Sequence, residues 1–342
     1  MQTMKKRFVL GIDGGASKVL AQIFAINKDN EIIDKSEPFE QNYKDLDTFN
    51  HQFIPVPLNT QKDEMVHANY KIGFNEKNQS QVIINAIIKS IKYFQNKNIS
   101  FIGFCFPGIK TESLKGISLM ANGPRNLCMI SEVNERIDSD LDLLTKINKI
   151  YDDSLSCVIG EKFSPDGKLK DCSNAIYIGG GTGIADGILL NNKILDLKIE
   201  PQIKKSWQIK FENGDSVEDH FSLSGLCKKW NPRKPKSVEL LIELFDKARN
   251  NDSFATQVLE DAGKAFQLLI NSRIKFFESK GLDPEKIVIG QRMGNILNKK
   301  NHPLKRVINK YNEKGISIEL SLNRNTAALG AAQLVLDEIN VW

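Results

Sequence analysis

Short apolar runs of strand length alternate along this chain with longer segments whose apolar residues recur at helical spacing. The first run is Phe8-Val9-Leu10, bounded by Gly11 and carried on by Ile12, which is the pattern of a buried strand. Asp13 sits where that strand should turn, and Gly14-Gly15 offers a corner that can take positive φ and let an anion approach. Val19 to Ile26 is apolar again and reads as a returning strand, with Glu31 to Ile33 as a third strand of the meander. Such a hairpin can hold a metal-bound phosphate at its tip. Backbone amides and Ser17 would donate to phosphate oxygens, and Asp13 would supply charge for Mg²⁺ or its waters. The same residues also make an ordinary hairpin with a Gly-Gly turn, and on this stretch alone both readings stand.

From Glu37 to Asn69 the chain is polar and aperiodic, with Pro38, Pro55 and Pro57, so loop with some helix is expected. Gln79 to Phe94 places Val82, Ile83, Ala86, Ile87, Ile91 and Phe94 on one face of an amphipathic helix. Ser100 to Phe106 is a buried strand stopped by Pro107-Gly108. Asp140 to Ile147 reads as a short helix leading to Tyr151, and another helix starts just after Asp153. A second strand–glycine unit follows: Asn174 to Ile178, then Gly179-Gly180-Gly181-Thr182-Gly183, then Ile184 to Leu190 and a turn at Asn191-Asn192. Its logic matches the first hairpin, so the chain reads as an internally duplicated α/β fold. Val238–Arg249 and Ser253–Lys275 are helical by pattern, Lys286–Ile289 and Ile316–Leu320 are strands, and Ala327–Ile339 is a closing helix. Met293, Phe266, Phe276 and Phe277 read as core.

Composition narrows the function classes. The 342 residues suit one large domain or two modest ones, and 41% hydrophobic with 26% charged residues is ordinary for a globular protein. The net charge of +5 is scattered, and the cluster Lys228, Lys229, Arg233, Lys234, Lys236 reads as a solvated loop, so no nucleic acid is expected. The five cysteines are widely spaced without a CxxC pair, which gives no support to an iron–sulfur site, a structural zinc or a disulfide framework. No apolar run approaches the ~20 residues of a membrane span, and the basic start shows no cleavage pattern. A cytoplasmic protein without membrane contact is expected.

These pieces together resemble the ROK (repressor, ORF, kinase) sugar-kinase family of the actin/hexokinase-like superfamily. GIDGGASK (11–18) resembles its first phosphate motif, FCFPGI (104–109) its strand ending in Pro-Gly, and DDSLSCVIGE (152–161) its Asn-Asp block. GGGTGIADGILLNNKIL (179–195) resembles its Gly-Thr-Gly hairpin, and VEDHFSLSG (217–225) its acidic Ser-Gly segment. IVIG (287–290) and AALGAAQL (327–334) resemble its adenosine strand and closing helix.

The resemblance implies a two-lobed actin/hexokinase-like (ribonuclease H-like) α/β ATPase fold with mixed sheets and a central cleft. Residues 1–150 with 326–342 would form the N-terminal lobe, and 151–325 the C-terminal lobe with the nucleotide site. It implies ATP and Mg²⁺ as cofactors, a hexose or N-acetylhexosamine as acceptor, and the possibility of a homodimer. Asp153 would be the general base, and Asp13 would help hold Mg²⁺. Gly14, Gly15, Ser17, Lys18, Gly181, Thr182 and Gly183 would bind the nucleotide phosphates, with Gly290 on the adenosine side. Asn122, Asp152, Glu200 and Glu218 would contact sugar. Three of these carry a second reading. Asp152-Asp153 can be an N-cap pair, Glu218 a surface helix charge, and the GPRN stretch beside Asn122 a plain turn.

The chain departs from the family pattern in places. Asp152 replaces an asparagine, Gln291-Arg292 replaces a second glycine, and Ile203 stands in KIEPQIKKSW (198–207) where the family has its zinc-binding histidine. No zinc is therefore expected, and the loop near Trp207 must be held by packing or stay mobile until substrate arrives. His220 reads as a surface or helix-end residue. Alternatives in function are a ligand-sensing regulator, a degenerate sugar- or nucleotide-binding protein of the same fold, and a BadF-type N-acetylglucosamine kinase-like protein. Only seven residues precede Phe8, which disfavours the helix-turn-helix of a regulator, and the absence of paired cysteines disfavours an iron–sulfur activator.

Overall fold

A computed structural model describes residues 6–141, 143–197, 200 and 202–340. The chain divides into two compact units, residues 1–160 with 325–342, and residues 161–324.

The first unit is built on a mixed sheet. Its strands are β1 (Arg7–Gly14), β2 (Lys18–Ile26), β3 (Ile32–Lys35), β4 (Phe39–Asn42), β5 (Ile99–Phe106) and, after the small β6–β7 hairpin (Ile109–Lys110 and Ile117–Leu119), β8 (Tyr151–Asp152). The order is β3-β2-β1-β5-β8, with β4 also paired to β2. β1 and β2 run antiparallel, while β1–β5 and β5–β8 are parallel. Such a sheet is buried on both faces, which explains why β1, β2 and β5 read as continuous apolar runs rather than alternating ones. Helices α1 (Leu58–Val66), α2 (Phe74–Tyr93), α3 (Met129–Asp140) and α4 (Asp153–Phe163) complete the unit with the closing helix, Thr326–Asn340. α2 turns Val82, Ile83, Ala86, Ile87 and Ile91 into the core as its periodicity predicts.

The closing helix lies close against both β5 and α4, because the facing residues are glycines. A Cβ on Gly103 would come 1.9 Å from the carbonyl oxygen of Ala331, and one on Gly330 would come 1.8 Å from that of Ser156. The small-residue pattern of residues 327–332 is thus the imprint of backbone-to-backbone packing.

The helix expected over Asp140–Ile147 is displaced. The helix is α3, which ends at Asp140 and buries Met129, Ile130, Val133 and Ile137 at helical spacing. Beyond it Leu141, Ile147 and Ile150 are buried one at a time while Leu144 is fully exposed, so no continuous apolar face exists to hold a helix. Asn134 captures the segment instead, accepting from the Ile147 amide at 3.0 Å and donating to its carbonyl at 2.9 Å.

The second unit repeats the first in topology. β9 (Ala175–Gly180), β10 (Ile184–Leu190), β11 (Lys193–Ile194), β12 (Lys286–Gly290) and β13 (Ser317–Leu320) form a sheet of order β11-β10-β9-β12-β13. β9–β10 is antiparallel, and β9–β12 and β12–β13 are parallel. A hairpin and a third strand on one side, with two parallel strands on the other, occur in both units, as internal duplication requires. The Asn191-Asn192 turn has φ of 49° and 63°, the two left-handed positions of a tight hairpin turn that asparagine tolerates. α5 (Val217–Phe221), α6 (Leu223–Trp230), α7 (Val238–Arg249), α8 (Ser253–Glu278), α9 (Gln291–Leu297) and α10 (Pro303–Lys310) pack on this sheet, with Phe266, Phe277 and Met293 fully buried. Among the described residues no helix is long and apolar enough to cross a membrane.

Candidate active site

In the first unit the carboxyl ends of three parallel strands converge. Asp13 on β1 pairs in register with Cys105 on β5, and β5 in turn aligns Cys105 with Tyr151 and Phe106 with Asp152 on β8. Open α/β sheets bind ligands beyond these strand ends. Asp153, the first residue of α4, follows directly from β8, so the sequence-separated acids Asp13 and Asp153 are neighbours.

Their proximity shows in the electrostatics. Asp13 is half-buried; burial first, then the charge of Asp153, raises its carboxyl from the ordinary 3.8 to about 6. Lys18 and the Cys105 thiol, whose Sγ is 3.8 Å from Asp13 Oδ1, pull the other way without cancelling the shift. Because the folded value lies above the unfolded one, the folded protein holds this proton more tightly. The resulting stabilisation is complete below about pH 4 and is lost as pH rises through 6. In metal-free, nucleotide-free protein the melting temperature should therefore fall from pH 4 to pH 7, and Asp13→Asn should flatten that fall. An unchanged slope in the variant would show that Asp13 does not carry it.

The glycine corner is propped by a residue that sequence reading did not single out. Tyr43, buried, donates from its hydroxyl to Gly15 O at 2.8 Å and from its amide to Ser17 O at 3.0 Å. Gly15 N in turn donates to Lys18 O at 2.8 Å, closing the hairpin, while Ser17 is exposed and Lys18 pairs with Glu40. Gly14 is required sterically, since a Cβ there would lie 2.3 Å from the Phe106 ring.

Asp152 is the N-cap of α4. Its Oδ1 accepts the amides of Ser154 at 3.0 Å and Leu155 at 3.3 Å. Asn122 is half-buried in the turn after β7. That turn is held by two devices invisible in a linear reading. Gln61 on α1 exchanges two bonds with the Met120 backbone, at 2.8 and 3.0 Å. The fully buried Arg125 grips Glu76 with Nε at 2.8 Å and Nη2 at 2.9 Å and also pairs with Glu64.

In the second unit, Gly181, Thr182 and Gly183 form the β9–β10 turn, with Gly181 N donating to Gly183 O at 2.9 Å. The first amide of α6, Leu223 N, donates to Gly181 O at 3.1 Å. Glu218 on α5 is neither a surface charge nor remote from this turn: its Oε2 accepts the Ile184 amide at 2.9 Å, directly under Gly183. Gly290 pairs with Gly179, next to the same turn. The residue after it, Gln291, has φ of +57°, a left-handed conformation that favours glycine and costs another residue roughly 1 kcal/mol. Its carboxamide packs against Gly179 and reaches toward Gly181.

Glu200 is half-buried; its carboxylate pairs with Gln202 and its carbonyl accepts the Ile203 amide at 2.9 Å. Lys198, Ile199 and Pro201 of the same stretch lie outside the described residues. Residues 202–208 do not fit a zinc ion. Ile203 is buried among hydrophobic side chains, and the segment is held by a buried ion pair. Arg273 on α8 pairs with Asp186 on β10 and donates to Lys204 O at 2.7 Å, while Asp186 accepts the Ser206 amide at 3.4 Å. The loop expected to rely on packing or on substrate is held by packing at Ile203 and by the Arg273–Asp186 ion pair. Asp13 is a hard oxygen donor of the kind Mg²⁺ takes, and among the described residues no group of three or more possible metal ligands surrounds it.

Neither a protein-family model nor a curated protein sequence matches the chain. Solved structures do. A ROK family glucokinase from Streptomyces griseus, in complex with glucose and AMPPNP, is 14% identical with a TM-score of 0.60; the match covers 96% of this chain and 98% of that one. A ROK hexokinase from Thermus thermophilus is 15% identical with a TM-score of 0.58, covering 97% and 99%. A ROK family transcriptional regulator, a homologue of the E. coli MLC protein, is 16% identical with a TM-score of 0.57, covering 98% of this chain and 80% of that one.

Proposed function

The fold is that of the ROK and hexokinase-like sugar kinases, and from it we propose that the protein is an ATP-dependent sugar kinase. It would transfer the γ-phosphoryl group to a hydroxyl of a hexose or N-acetylhexosamine. Since kinases and a regulator share the fold, the fold does not separate the two. The observation that carries the kinase reading is the placement of Asp13 and Asp153 beside one another at the carboxyl ends of parallel strands, where a metal-holding acid and a general base are needed.

In this reading Asp153 accepts the proton of the attacking sugar hydroxyl, and Asp13 holds Mg²⁺. The metal, when bound, neutralises charge on the phosphates. The hairpin tip of Gly14, Gly15, Ser17 and Lys18 binds phosphate in the first unit, with the Ser17 hydroxyl and Lys18 as donors and the Gly15 amide closing the turn on Lys18 O. The Gly181-Thr182-Gly183 turn does so in the second, through the amides of Thr182 and Gly183 while the Gly181 amide closes the turn; Glu218 fixes it and Gly290 borders the adenosine. Asn122 and Glu200 contact sugar, and Asp152 sets the start of α4. Catalysis is then mostly positioning and charge neutralisation.

The test is ADP release from ATP with a panel of hexoses and N-acetylhexosamines. Sugar-dependent release with at least one member is expected. A panel without any stimulation would leave the binding-protein reading in its place.

A further inference from the structure

Lys110 belongs to no phosphate or sugar motif, yet its ammonium lies beside the start of α4, with the side chain only 1% exposed. Nζ donates to the carbonyl oxygens of Phe106 at 2.6 Å and Gly108 at 3.0 Å, and it lies 3.8 Å from Asp152 Oδ2. The other oxygen of that carboxylate caps α4. One side chain therefore ties together the end of β5, the Pro107-Gly108 turn with Gly108 at φ +91°, and the helix whose first residue is Asp153.

The charges explain each other. A buried ammonium or a buried carboxylate alone is strongly disfavoured, but each is tolerable next to the other. Asparagine at position 152 would cap the helix equally well and needs no counter-charge. Without Lys110, the Asp152 carboxylate would lose a buried counter-charge next to Asp153. Lys110 thus supplies a counter-charge for the acidic residue at 152 beside Asp153.

We infer that Lys110 is a positioning residue for phosphoryl transfer: it neutralises Asp152 and pins the first turn of α4, which holds Asp153 at the strand ends. The kinetic consequence rests on the kinase reading, whereas the pinning does not. The test is a cycle of Lys110→Met, Asp152→Asn and the double variant, read by thermal unfolding and by steady-state kinetics with a sugar from the panel. Lys110→Met should lower the melting temperature by ~5–10 °C. It should lower kcat ~10–100-fold with the KM for ATP unchanged, because Asp153 is displaced while the nucleotide site is not. The double variant should regain the part of both losses that comes from the Asp152 charge, while the carbonyls of Phe106 and Gly108 still lack their donor. Lys110→Arg, which keeps the charge, should retain more activity than Lys110→Met. A Lys110→Met protein with wild-type kcat, or a double variant no better than Lys110→Met, would overturn the inference. If the wild-type protein turns over no sugar, the kinase reading fails, and the melting temperatures still decide the pinning. Coupling between the two positions supports it, and additive effects refute it.

Discussion

Asp153→Asn is expected to lower kcat by ~10³-fold while ATP binding is retained. Asparagine keeps the shape of the side chain at the first position of α4 but cannot take a proton from a sugar hydroxyl, and the lost term is the whole of the general-base contribution. Removing the Asp153 charge also relieves the neighbouring Asp13, whose pKa of about 6 is raised in part by that charge. Asp13 should then ionise at lower pH, and magnesium-nucleotide affinity should hold or rise rather than fall. Isothermal titration with a non-hydrolysable ATP analogue, alongside steady-state turnover, separates the two effects. A variant that turns over sugar at the wild-type rate would remove Asp153 from the chemistry. A variant that loses nucleotide binding as well would show that its role is structural.

Arg273→Met is expected to destabilise the second unit by about 3–5 kcal/mol. Arg273 and Asp186 are 0% and 3% exposed, so removing the guanidinium strands a carboxylate inside the core. It also removes the donor to Lys204 O, and with it one of the ties of the 202–208 segment. The double variant Arg273→Met with Asp186→Asn should recover much of the loss, because no buried charge then lacks a partner. Urea denaturation of the three variants tests this. A loss below about 1 kcal/mol for Arg273→Met would mean the pair is no more than a surface-strength contact.

What was legible in the sequence follows from the range of the interactions involved. β1, β2, β5, β9, β10 and β12 could be read because strands buried on both faces leave uninterrupted apolar runs. α2, α7, α8 and the closing helix could be read from their spacing. α10 is short, but its Leu304, Val307 and Ile308 recur at helical spacing behind Pro303, a signal the sequence does carry. α3 was passed over in favour of the segment after it, whose apolar residues Leu141, Ile147 and Ile150 are anchored singly.

The site divides in the same way. Asp153 is singled out only by the family resemblance, whereas Asp13 and the two glycine turns announce themselves locally, by an acid and glycines at strand ends. Their supports do not. Tyr43 reaches Gly15 across 28 residues, Arg273 reaches Asp186 across 87, and Arg125 reaches Glu76 across 49. No periodicity connects such partners. Lys110 is a different case, since it lies only two residues beyond Gly108. Its significance needed the Asp152 carboxylate, which β8 brings alongside β5.

Phosphorus NMR of ATP incubated with the protein, Mg²⁺ and each sugar of the panel tests most directly whether this is a sugar kinase. With an accepted sugar, the γ-phosphate resonance should disappear as a sugar phosphomonoester grows in equal amount, and Asp153→Asn should abolish both changes. Loss of the γ-phosphate only as inorganic phosphate, or no loss with any sugar, would contradict the account.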